Sequence, residues 1–383
     1  MSTPHPLRPR RISAIRVAQV AAGLALAAAM LIWGLPYFAK TSWSSIAEVL
    51  GTVPPGRAVA FLGLVLAGLL SYTFVLTGAL HGLSHLRALV LNVCGSSVSN
   101  LLPGGGAVGL AATYSICRSW GFRSRDVSTM AIVTGVWNTL ARVALPVIAI
   151  TALVWGVDED VPKVMRDAAI GGSLSGLAIV GVLVAVIASN RAAHAIGRGL
   201  DRVLAPLLRR RRRSMSVDAL VTDLRARITD SVRRGWLPMT LGMVGFFGFY
   251  YVLFVAVMDT TGVTMPHGQL FAAYALGRLL TAVGVTPGGV GVTETGTAAA
   301  LVAWGADPAA ATAGVVLFSI YTHVMEVPLG ALGWVAWSLM PKASAEELAE
   351  AAEGHEDLDA APAAGGSGRE MDTDPGQETS RRT

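Results

Sequence analysis

The chain has 383 residues, 53% of them hydrophobic and 14% charged, with a net charge of +5. Soluble domains carry about 25% charged residues, so a mean hydropathy of +0.55 puts most of this chain in a bilayer and excludes a soluble globular protein. Cys94 and Cys117 fall in or near apolar stretches without metal-ligand spacing, and read as small buried apolar residues rather than a disulfide.

In chain order, residues 1–16 are a polar, arginine-bearing N-terminus (Arg8, Arg10, Arg11, Arg16). A membrane-spanning helix needs about 20 apolar residues, and Val17–Phe38 meets that length as an uncleaved first span. Ala58–Leu80 returns to the cytoplasmic side. Ala88–Leu101 and Ala107–Cys117 flank the break LPGGGAVG, with basic residues at both outer ends (Arg87; Arg118, Arg123, Arg125). Positive charge marks cytoplasmic loops, so this segment is expected to enter from the cytoplasm and turn back. Ser128–Trp155 and Ile170–Ser189 cross next, joined by a loop bearing Asp158, Glu159 and Asp160 that reads as solvated.

Residues 190–235 form the most basic stretch, with Arg209, Arg210, Arg211, Arg212 and Arg213 in one run. Within it Val217, Leu220, Val221, Leu224, Ile228 and Val232 follow helical spacing, which predicts an amphipathic helix on anionic lipid at the inner leaflet. Trp236–Met258 then crosses. Leu270–Val285 and Thr295–Trp304 flank a second break, TPGGVGVTE, and Ala309–Met340 makes the last crossing, bent near Pro328. Residues 342–383 are acidic and poor in large apolar side chains, as a disordered cytoplasmic tail is. The expected architecture is an all-α polytopic membrane protein. It has about six full spans and two re-entrant hairpins, lies in the plasma (inner) membrane, and keeps both termini cytoplasmic.

The two breaks, Pro103, Gly104, Gly105 and Gly106 in one and Pro287, Gly288, Gly289 and Gly291 in the other, are costly in lipid because irregular backbone leaves polar groups unsatisfied there. They are also related. Pro103 and Pro287 stand 184 positions apart (287 − 103), and the same offset aligns Gly105 with Gly289, Thr113 with Thr297, Trp120 with Trp304 and Gly121 with Gly305. Arg142 falls opposite Glu326. Three crossings between the hairpins, an odd number, make the second copy inverted, which is a transporter architecture.

GGGAVG matches G-x-G-x-x-G formally, but it has no preceding strand or βαβ unit, so a dinucleotide site is rejected. No Walker A sequence occurs. His81 and His85 have the i, i+4 spacing of a metal pair but lack a third ligand, so no metal or cofactor is expected. The informative residues are the charges inside apolar segments: Arg142, Arg278, Glu294 and Glu326. Each costs about 2.5–3.5 kcal/mol at the bilayer centre, so pairing among them is expected. They read either as ion pairs locking helices or as a polar pathway for a charged headgroup. Asn100, Asn138, Tyr274, Tyr321 and His323 are available to add hydrogen bonds. Glu294 is the first candidate, since the first copy has Leu110 at that offset.

Pro287–Glu294, the stretch Asn100–Gly106 and the overall layout over about residues 15–340 resemble the lysylphosphatidylglycerol synthase transmembrane-domain family, also described as flippase-like. That resemblance implies a domain (residues 17–341) that moves lipids across the bilayer. It also implies an arginine in the last long helix, where this chain carries His323 and Glu326. No aminoacyl-transferase domain follows the last span, so the expectation is a lipid translocator and not an enzyme. The alternatives are an accessory or enzyme of polyprenyl-phosphate glycolipid metabolism, or a non-transporting scaffold. The expected partners are membrane lipids and a second copy of the chain, not nucleic acid.

Overall fold

The computed structural model describes residues 42–44, 48, 51–101, 105–155, 217–281 and 289–344. The expected spans Val17–Phe38 and Ile170–Ser189, the run Arg209–Arg213, the break residues Pro103, Gly104, Pro287 and Gly288, and the tail beyond residue 344 lie outside the described residues. Among the described residues there is no strand. The helices are α1 (Pro55–Ala79), α2 (His85–Leu101), α3 (Gly105–Ser119), α4 (Ser124–Trp155), α5 (Val217–Thr260), α6 (His267–Leu280), α7 (Val292–Ala303), α8 (Pro308–Ser319) and α9 (Glu326–Leu339). A π-helical turn, Ile320–Val324, joins α8 to α9.

Among the described residues, four stretches are long and apolar enough to cross a membrane: Pro55–Ala79, Ser124–Ala149, Ile228–Thr260 and Pro308–Leu339. α2, α3, α6 and α7 have only 17, 15, 14 and 12 residues. At 1.5 Å per residue they reach roughly 18–26 Å, short of the ~30 Å hydrocarbon layer.

The 184-residue register recurs in the helix boundaries. α4 spans 124–155 and the α8–α9 unit 308–339, while α3 ends at Ser119 and α7 at Ala303. Both short helices stop in the same turn. Phe122 N–H donates to Cys117 O and Gly121 N–H to Arg118 O; Ala306 N–H donates to Leu301 O and Gly305 N–H to Val302 O. This is the Schellman pattern, which needs a left-handed residue after the helix. Gly121 (φ 87°) and Gly305 (φ 96°) supply it without the penalty a Cβ brings.

Packing runs through small residues, as membrane interfaces require when the hydrophobic effect does not separate protein from lipid. α1 lies antiparallel on α5: Arg57 bonds Asp259 at one end, and a Cβ on Gly235 at the other would stand 2.0 Å from Gly78 O. α2 lies antiparallel on α9, where a Cβ on Gly330 would sit 2.1 Å from Ser97 Cβ. α6 packs along α4. The short first helix of each half therefore packs on the long helix of the other.

Two expectations change. Gly105 and Gly106 are not part of a break but belong to the first turn of α3. A Cβ on Gly105 would stand 2.1 Å from Ser99 O, so its bareness serves helix contact. The amphipathic segment and the crossing after it are one 44-residue helix, α5. In its basic half, Ile228 and Val232 pack on the protein core, and Ser231 Oγ donates to Ala79 O at 3.3 Å.

Candidate functional site

α1, α2, α4, α5, α6, the π-turn and α9 converge on a cavity of about 390 Å³. Its lining includes Asn100, Asn138, Arg142, Arg278, Gly289, His323 and Glu326 from the sequence candidates, with Thr281.

Two matching contacts hold it together. From α4, Arg142 donates Nη1–H to Thr281 Oγ1 at 2.5 Å, and its Nε–H goes to Asn138 Oδ1 at 3.1 Å. From α9, Glu326 Oε2 accepts from Asn100 Nδ2 at 2.7 Å. Arg142 and Glu326 are counterparts in the 184-residue register. Asn100 is one residue from the end of α2 and Thr281 one residue past α6, so both stand where the chain leaves a short helix. Each long helix thus presents a charged side chain to the mouth of the opposite break. The π-turn just before Glu326 widens the backbone, as such turns do at functional positions.

Arg278 differs from the other charges. It is 8% exposed, and its Nε has no hydrogen-bond partner. Its guanidinium carbon lies 5.1 Å from the Phe318 ring centroid, 5.5 Å from Tyr274 and 5.9 Å from Tyr250. Ring faces attract a cation, but they do not neutralise it. The expected ion pairs are not formed: among the described residues, no carboxylate lies within 4 Å of Arg142 or Arg278. With Glu326 ionised, two fixed cations face one carboxylate across the cavity.

Glu294 stands apart from the cavity. It is 2% exposed, and its Oε2 accepts from Gly291 N–H at 2.5 Å, the reach-back half of a capping box. Gly291 is at φ 90°, so the carboxylate holds a left-handed turn in place at the N-terminus of α7. Its other oxygen accepts from Ser319 Oγ. A void of about 10 Å³, water-sized, adjoins this network, and Arg278 and His323 line both the void and the cavity. His323 Nδ1 is 3.1 Å from Thr322 Oγ1.

Tyr274 donates to Phe247 O at 2.9 Å and contributes its ring to Arg278, whereas Tyr321 donates to Ala58 O at 3.0 Å, away from the cavity lining. His85 pairs with Thr73 Oγ1 at 2.8 Å in α2, beyond the turn that follows α1, while His81 is exposed in that turn. Among the described residues, no group of three His, Cys, Asp or Glu side chains is placed to hold a metal. Sequence reasoning missed Ser319, Thr281 and the Phe318 ring. Ser319 carried one usable signal, its i, i+4 spacing to His323 beside the π-turn.

Fold and site together define a multi-pass α-helical membrane protein whose helices line a polar cavity bearing Arg142, Arg278 and Glu326. Residues 20–330 match the family described as lysylphosphatidylglycerol synthase TM region, and the chain belongs to that family. No curated protein matches it.

Proposed function

We propose that this protein translocates a phospholipid or lipid-linked substrate across the plasma membrane, taking an anionic headgroup into the cavity. The observation that carries this reading is Arg278, a buried cation with aromatic walls and, among the described residues, no carboxylate within 4 Å, facing the same space as Arg142. A buried charge without a partner is costly, and an anionic headgroup supplies one. The transported lipid keeps its covalent bonds, so no catalytic group is required. Asn100, Glu326 and His323 orient the headgroup, and Glu294 holds the turn beside it.

In this reading the chain makes six spans and two re-entrant hairpins, α2–α3 and α6–α7, inverted relative to each other. The short helices and the common 184-residue register support it. Arg123 and Asp307 occupy equivalent exposed positions in that register. Arg123→Cys and Asp307→Cys, in a cysteine-free background, should be labelled from opposite sides of the membrane; labelling from one side rejects the inversion. The functional test is reconstitution in liposomes with fluorescent phospholipids, reading headgroup movement by quenching from outside. Faster movement of anionic than zwitterionic lipid is expected. Movement of neither, with native lipids included, overturns the proposal.

A further inference from the structure

A second cavity, of about 460 Å³, lies between α4 and α5. Trp137, Leu145, Val244, Phe247, Gly248 and Tyr251 are among its walls. Its polar atoms are already used: Trp137 Nε1 donates to Thr240 Oγ1 at 3.2 Å, Thr240 Oγ1 donates to Trp236 O at 2.7 Å, and Tyr251 OH donates to His267 O at 3.2 Å. What remains to meet a ligand is hydrocarbon. The crevice is open on the side of Val244 and Ile148, 65% and 53% exposed on two helices long and apolar enough to cross a membrane.

We infer that this crevice seats a hydrocarbon chain of the lipid whose headgroup occupies the polar cavity, so that the substrate enters sideways between α4 and α5. This rests on the headgroup reading above. The link between the two spaces is Phe247, which lines both. Its carbonyl is held by Tyr274 OH, and the Tyr274 ring lies against Arg278. On α4, Asn138 and Arg142 face the polar side while Trp137, Ala141 and Leu145 face the apolar side. A molecule with a charged head and an apolar chain matches that division. A free phosphate or other soluble anion leaves the crevice unused.

Gly248 makes the test possible. A Cβ there meets nothing within 4 Å, so a larger side chain at Gly248, which lines the crevice, starts from open space and Gly248→Phe places its ring at the crevice wall. Binding is measured for glycerol phosphate, which carries only the headgroup chemistry, and for phosphatidylglycerol in nanodiscs. Gly248→Phe should leave glycerol phosphate binding unchanged and weaken phosphatidylglycerol binding roughly tenfold or more, the equivalent of about two displaced methylene groups. Gly248→Ala should behave as the parent. Unchanged lipid binding by Gly248→Phe overturns the inference. Failure of the unaltered protein to bind glycerol phosphate counts against the headgroup site instead. In that case the crevice is judged by whether a phospholipid with a photoreactive acyl chain labels Val244 and Phe247, and absence of labelling overturns it.

Discussion

Replacing Arg278 with methionine should move stability and binding in opposite directions. A cation near the bilayer centre costs about 2.5–3.5 kcal/mol. Its three aromatic neighbours, with ring centroids 5.1 to 5.9 Å from the guanidinium carbon, return about 2 kcal/mol in a desolvated setting. No ion pair among the described residues makes up the difference, so the empty site carries a net cost of about 1 kcal/mol. Methionine matches the length of the buried stem, and its sulfur packs well against rings. The ligand-free variant should therefore unfold in detergent about 2 °C above the parent. An anion loses a charge-assisted hydrogen bond of about 1.5–3 kcal/mol, so affinity for an anionic lipid should fall roughly 10- to 150-fold. Thermal unfolding and lipid binding on the same preparation read both effects. A variant that melts well below the parent makes Arg278 a structural residue. One that binds and moves lipid normally removes it from the site.

Three further outcomes follow from the geometry. Glu294→Gln removes the charge from the bond to Gly291 N–H, so stability should drop by about 1–2 kcal/mol, and transport should fall while glycerol phosphate binding persists; undiminished transport would show that the turn does not need the carboxylate. Glu326→Leu strands Asn100 and should cost about 1–3 kcal/mol, most of it recovered in the Asn100→Leu/Glu326→Leu double variant; additive losses in that double-mutant cycle would deny the contact. Gly330→Leu drives a side chain into Ser97 and should destabilise by about 3 kcal/mol or more, whereas Gly63→Leu on α1, with nothing within 4 Å of its Cβ, should be near neutral in thermal unfolding.

The membrane class, the four described spans and the 184-residue register were legible in the sequence because each depends on local chemistry. Hydropathy over a span is a sum along the chain, and the paired turns at Gly121 and Gly305 need only a residue that tolerates positive φ. The charged residues were legible as a set, since any charge inside an apolar run stands out. Their partners were not. Asn100 meets Glu326 across 226 positions and Arg142 meets Thr281 across 139, through packing that sets each half's short helix on the other half's long one. Charge balance suggested ion pairs, but the described structure satisfies Arg142, Glu294 and Glu326 with neutral donors and acceptors and leaves Arg278 to its rings. Glu294 was the first candidate because the other copy has Leu110 at that offset. In the structure it accepts from the backbone N–H three residues earlier, a local capping bond, and from Ser319 Oγ. The sequence alone therefore determined which residues pay a cost for lying in lipid. Only the tertiary structure decided which of those costs is met within the protein and which is left for a ligand, because that depends on distances between helices far apart in the chain.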